Sequence, residues 1–159
     1  MGSTDTDRTA LMTLHEITGG SSWRNRSGWG TSAPLKDWHG VKVDFRGRVV
    51  ELDLHRNNLR GNIPVNIDKL AALKKMIMWG NELRAQGKYS KPANLPSVGA
   101  PAKCHFPISI LSGSIPPQIG SLSALEEVNL SENKLTGSIP TSLGNLLAVE
   151  KLWLFDNEL

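Results

Sequence analysis

A lone cysteine, Cys104, leaves this 159-residue chain without the pair that an internal disulfide needs. That fits a reducing compartment. No apolar run approaches the ~18 residues that a membrane-spanning helix requires. Residues 1–20 lack the basic flank, apolar stretch and small-residue cleavage site of a signal peptide. A cytoplasmic protein is the expectation; extracellular or cell-surface placement would follow if the true N-terminus were missing. The start Met1-Gly2-Ser3-Thr4-Asp5-Thr6 matches an acylation pattern with Gly2 as acceptor, although one acyl chain anchors only weakly.

Charge of one sign is also scarce. The net charge of +3 comes from residues 84–111, which hold Arg84, Lys88, Lys91 and Lys103 and no acid. The rest of the chain balances 14 basic against 15 acidic residues. The basic face of a nucleic-acid binder is therefore missing. Catalytic patterns are missing too. His15, His39, His55 and His105 are scattered without metal-ligand spacing. No nucleophile elbow, phosphate-binding loop or dinucleotide fingerprint occurs. A non-enzyme without metal or cofactor is expected.

What the chain does have is a period. Val49-x-x-Leu52-x-Leu54-x-x-Asn57-x-Leu59-x-Gly61-x-Ile63-Pro64 recurs as Leu125-x-x-Val128-x-Leu130-x-x-Asn133-x-Leu135-x-Gly137-x-Ile139-Pro140. Val49 to Leu73 and Leu125 to Val149 both span 24 residues. Partial copies start at Leu73 and Val149. A fixed period of this length denotes a solenoid of stacked coils, because one coil cannot bury its own apolar face. Leu52-x-Leu54 alternates as a short strand with one buried face. Asn57, Asn81, Asn133 and Asn157 end the strands, where a short amide can bond turn backbone.

These residues resemble the plant-type leucine-rich repeat (LRR). The resemblance implies an α/β solenoid with short parallel strands on the concave face, helical or 3-10 segments on the convex face, and an asparagine ladder. Residues 49–159 then divide into coils 49–72, 73–83 plus 112–124, 125–148, and a partial coil 149–159.

Residues 1–48 form a cap by this reading. Ala10, Leu11, Leu14 and Ile17 recur at helical spacing after the cluster Thr4-Asp5-Thr6, so residues 7–18 are expected to be an amphipathic helix. Trp23, Trp29 and Trp38 follow, and large aromatics suit the plug of a solenoid end. Val41 to Phe45 alternates and turns at Arg46-Gly47 into the first repeat strand. The order helix, tryptophans, Trp38-His39-Gly40-Val41 resembles the caps of plant-type LRR receptors. Those caps carry cysteines at the positions of Lys36 and Val43 here. The departure is similar to intracellular LRR proteins of algae and protists, including N-terminal regions of ROCO-type GTPases.

Leu73 to Leu125 spans 52 residues, 28 more than one period. Joining Leu83 to Ser112 would restore the repeat, so residues 84–111 are an insert. They contain Pro92, Pro96, Pro101 and Pro107 and are expected to be irregular. A genuine loop and a translated intron both account for them. Splice-like codons for Gly87-Lys88-Tyr89 and for Cys104 to Gly113 favour the intron, although they would excise about 26 residues.

Outward-facing strand positions by register are Glu51, Asp53 and His55; Lys75, Ile77 and Trp79; Glu127, Asn129 and Ser131; Lys151, Trp153 and Phe155. The candidate partner-binding residues are Asp53, His55, Ile77, Trp79, Asn129, Ser131, Trp153 and Phe155, with Trp79, Trp153 and Phe155 as aromatic anchors. The expected function is binding of a protein or peptide on the concave face, without nucleic acid and without a membrane span. The alternatives are an ectodomain fragment of an LRR receptor-like kinase recognising an extracellular peptide or glycan, and a non-functional gene fragment.

Overall fold

The computed structural model describes residues 3–84 and 113–159. The insert reading therefore falls almost wholly outside the described residues. Helix α1 (Ser3–Ile17) is followed by strands β1 (Val41–Val43), β2 (Val49–Asp53), β3 (Arg60–Gly61), β4 (Lys75–Ile77), β5 (Glu82–Leu83), β6 (Glu127–Asn129) and β7 (Lys151–Trp153). The main sheet runs β1-β2-β4-β6-β7. Strand β1 pairs antiparallel with β2, and every later neighbour is parallel. Leu52, Met76, Val128 and Leu152 lie side by side in register. The solenoid expected from the period is what forms. Its strands end before the outermost of the outward-facing positions, His55, Trp79, Ser131 and Phe155, because the chain turns at the left-handed residues that follow them.

Convex 3-10 segments at Val65–Lys69, Pro117–Ser121 and Thr141–Asn145 complete the coils. A proline precedes each one. Its fixed φ and missing N–H suit the entry to a helical turn. A second, narrower ladder pairs β3 with β5, and an isolated bridge joins Thr136 to Glu158.

Burial shows that stacking builds the core. Leu52 and Met76 are fully buried and Val128 is 1% exposed, yet the equivalent Leu152 on the outer coil is 44% exposed. Ile63 and Ile115 are closed, whereas Ile139 is open. An inner coil gains the ~1.5–3 kcal/mol of each buried aliphatic side chain only when the next coil covers it.

The asparagines form the implied ladder. Asn81 Oδ1 accepts from the backbone N–H of Asn57 (2.9 Å) and Leu59 (3.0 Å) on the preceding coil. Its Nδ2 donates to the carbonyls of Leu54 and Met78. Asn133 and Asn157 repeat the pattern toward Leu83 and Leu135. The cap supplies the first rung, since Asn25 N–H donates to Asn57 Oδ1 at 2.7 Å and Asn57 Nδ2 donates to the Asn25 carbonyl.

Helix α1 starts earlier than expected, at Ser3, so Thr4, Asp5 and Thr6 lie inside its first turns. A carboxylate there is favoured by the helix dipole. Asp7, fully buried, ties the helix to the sheet. Arg48 donates to it through Nε and an Nη, each at 2.9 Å, and the Val49 N–H donates at 2.9 Å. Each tryptophan indole of the cap donates to a carbonyl: Trp23 to Thr18, Trp29 to His39 and Trp38 to Ala33. A buried ion pair and an aromatic stack hold this cap together.

Candidate functional site

The concave face consists of three columns running across the strands. Lys42, Glu51, Lys75, Glu127 and Lys151 stand in register in the first. Its charges alternate strand by strand. Lys42 pairs with Glu51 at 2.8 Å and Lys75 with Glu127 at 3.3 Å. The hydrogen bond from Lys42 to Glu51 raises the lysine's pKa, with the glutamate charge adding to it. Neighbours of alternating sign pair with one another, so only the charge of the outermost Lys151 is left over.

The second column is Asp53, Ile77, Asn129 and Trp153, again in register. The third, two residues further along each strand, is His55, Trp79, Ser131 and Phe155. These eight are the positions selected from the sequence, and the fold brings them onto one face. Most are open or half-open to solvent, Phe155 most clearly at 56%. Ser131 differs, being 2% exposed with its hydroxyl donating to Asn129 Oδ1 at 2.7 Å. A short side chain between larger neighbours is closed off by them. Its part is to orient the Asn129 amide.

At the N-terminal side the columns are preorganised. His55 Nδ1 lies 2.6 Å from Asp53 Oδ1, and the imidazole stacks on Trp79 at 5.1 Å with ring planes 8° apart. The Arg56 guanidinium lies 4.6 Å from the Trp79 ring and reaches toward Glu132 at 3.9 Å. The sequence pattern did not single out Arg56. It sits at the strand end with φ +47°, a position that recurs as Gly80, Glu132 and Asp156, all left-handed. Gly80 has a further reason to lack a side chain, because a Cβ there would lie 2.7 Å from Arg56 Cγ. The repeated turn sends the residue out over the next coil, which places Arg56 against Trp79.

Beside this group the hairpin end leaves a recess of about 240 Å³ lined by His39, Gly40, Lys42, Glu51, Asp53 and His55. A Cβ at Gly40 would lie 2.0 Å from the Asp53 carbonyl oxygen, so no side chain can fill it from that position. No cluster of three or more histidine, cysteine or acidic side chains that could hold a metal ion is present among the described residues. None of their helices is long and apolar enough to cross a membrane.

Known proteins share this architecture. The family described as Leucine Rich Repeat matches residues 48–70 and 124–146. A probable LRR receptor-like serine/threonine-protein kinase of Arabidopsis thaliana is 32% identical over 124 residues, which is 76% of this chain and 13% of the relative. The chain thus spans about an eighth of that protein's length. The structure of the BIR3–SERK2 complex from Arabidopsis thaliana is 26% identical, covering 93% of this chain and 67% of that one, with a TM-score of 0.64. The LRR ectodomain of the receptor kinase SOBIR1, also from Arabidopsis thaliana, has the same fold at 21% identity, covering 96% and 67% with a TM-score of 0.62. Register, ladder and likeness agree on a leucine-rich-repeat solenoid behind a helical cap, with the repeat family itself matched at residues 48–70 and 124–146.

Proposed function

We propose that the solenoid is a recognition module that binds a protein or peptide partner on its concave face, as part of a receptor-type ectodomain. The observation that carries this reading is the contrast between columns. The first column ties four of its five charges into ion pairs. The second and third present Asp53, His55, Ile77, Trp79, Asn129, Trp153 and Phe155 on a rigid sheet. Tryptophan is enriched at interface hot spots, and aromatic groups gathered on one exposed face suit a partner.

The likeness to a receptor-like kinase and to the LRR ectodomain of a receptor kinase supports extracellular placement over the cytoplasmic one expected from the scarcity of cysteine and of a leader pattern. The resemblance to ROCO-type proteins gains no support from the relatives described above. No catalytic role is proposed for these residues.

The test uses a displayed library of random twelve-residue peptides, panned against the protein. Selected peptides are then measured against two variants. In the Trp79→Ala/Trp153→Ala double variant, affinity should fall by at least about 30-fold, the loss of a hot spot of ~2 kcal/mol. Glu51→Ala, in the ion-paired column, should change it by less than about threefold. Undiminished binding by a folded double variant would eliminate the aromatic site.

A further inference from the structure

One titratable group of the cap is used by neither the core nor the concave face. His15, on the last turn of α1, lies against Trp23 edge to face at 5.0 Å and parallel to Trp29 at 5.8 Å, 16° between planes. Gly20 closes the other side, where a Cβ would stand 2.2 Å from His15 Nε2. Nε2 is buried and has no hydrogen-bond partner. The neutral ring can leave this nitrogen as a bare lone pair at modest cost. The imidazolium would bring an N–H and a positive charge into the same gap.

We propose that His15 is an acid-sensitive latch of the cap, holding it closed when neutral and loosening the Trp23–Trp29 loop from the first coil when protonated. The charges around it favour the closed, neutral form. Arg26, on the loop packed over the ring, opposes a second positive charge, and Arg24 on that loop reaches the Arg56 carbonyl. A backbone hydrogen bond to Gly20 and then the charge of Glu16, on the same helix, pull the other way, both more weakly than burial and Arg26. The intervening 3-10 turn, Gly20–Ser22, carries no charge. On the convex segment packed against α1, Asp68 pairs with Lys69.

Burial, then Arg26, lower the His15 pKa below the ordinary 6.5. A lowered value in the folded state makes the unfolded or opened form bind more protons. The latch is therefore fully effective above about pH 6.5 and weakens as pH falls through and below it. Opening matters beyond the ring. The same loop supplies Arg24 N–H to the Asn57 carbonyl and Asn25 N–H to Asn57 Oδ1. Loosening it removes the first rung of the asparagine ladder.

Amide hydrogen exchange of the full chain between pH 7.5 and pH 5, corrected for the intrinsic rate, tests this. Peptides covering α1 and residues 20–40 should lose protection on acidification, while those covering β4, β6 and β7 keep theirs. In His15→Phe, which retains a ring and cannot titrate, the cap should hold its protection across the range. If that variant does not fold, His15→Gln supplies the second non-titrating test, with the same expectation. Flat cap protection in the parent protein, or an identical pH dependence in the folded non-titrating variant, would overturn the proposal. So would a histidine resonance for His15 with its midpoint at or above the free imidazole value.

Discussion

The smallest features decide the stacking. Asn57, Asn81, Asn133 and Asn157 were legible in the sequence because the repeat fixes their spacing, and each occupies its rung. Asp7 was not legible. It lies in a polar helix start, and its partner Arg48 is 41 residues away, so no local period links them. Only the folded cap shows that the carboxylate is fully buried while Arg48 keeps 20% of its side-chain exposure. Removing one member of such a pair leaves an uncompensated charge. Asp7→Ala should therefore lower unfolding stability by about 3 kcal/mol, the low end for a buried pair because Arg48 stays partly wet. Asp7→Asn should lose less, since the amide oxygen still accepts from Val49. Urea unfolding of the three proteins checks the order. Equal stability of Asp7→Ala and the parent would show that the ion pair contributes nothing to the cap.

At the scale of elements, the sequence placed the cap helix and four parallel strands but missed their ends. Helix α1 begins at Ser3 rather than residue 7, because Thr4, Asp5 and Thr6 are tolerated in the first turns. Strand ends are blurred by the left-handed residue that recurs at Arg56, Gly80, Glu132 and Asp156, a backbone feature that four different residue types do not advertise. The interrupted coil is informative at its margins. Arg84 N–H donates to the Gly61 carbonyl, and Thr136 N–H donates to the Gly113 carbonyl. These are equivalent bonds of successive coils, so the coil enters on register at Arg84 and leaves on register at Gly113. Deleting residues 84–111 would put Ser112 where Arg84 stands and keep both bonds. The shortened protein should melt at the same or a higher temperature, since a shorter connection costs less closure entropy. Calorimetry that showed a melting point several degrees lower would mean that the deleted residues support the solenoid.

For the whole molecule, one rigid sheet carries three columns with different fates. The alternation of Glu51, Lys75, Glu127 and Lys151 in the first was readable from the period, but not the fifth member, Lys42, which joins from the antiparallel hairpin outside the repeat and pairs with Glu51. The exposed second and third columns were readable from the period alone, but not the closure of Ser131 or the grip of His55 and Arg56 on Trp79. Those contacts depend on which side chains stand on adjacent coils. The central claim is that this face, and not the convex side, receives a partner. Hydrogen exchange of the protein with and without a peptide selected on it tests that claim most directly. Protection should rise at residues 53–55, 77–79, 129–131 and 153–155. Protection confined to the convex segments Val65–Lys69, Pro117–Ser121 and Thr141–Asn145, with the strands unchanged, would contradict it.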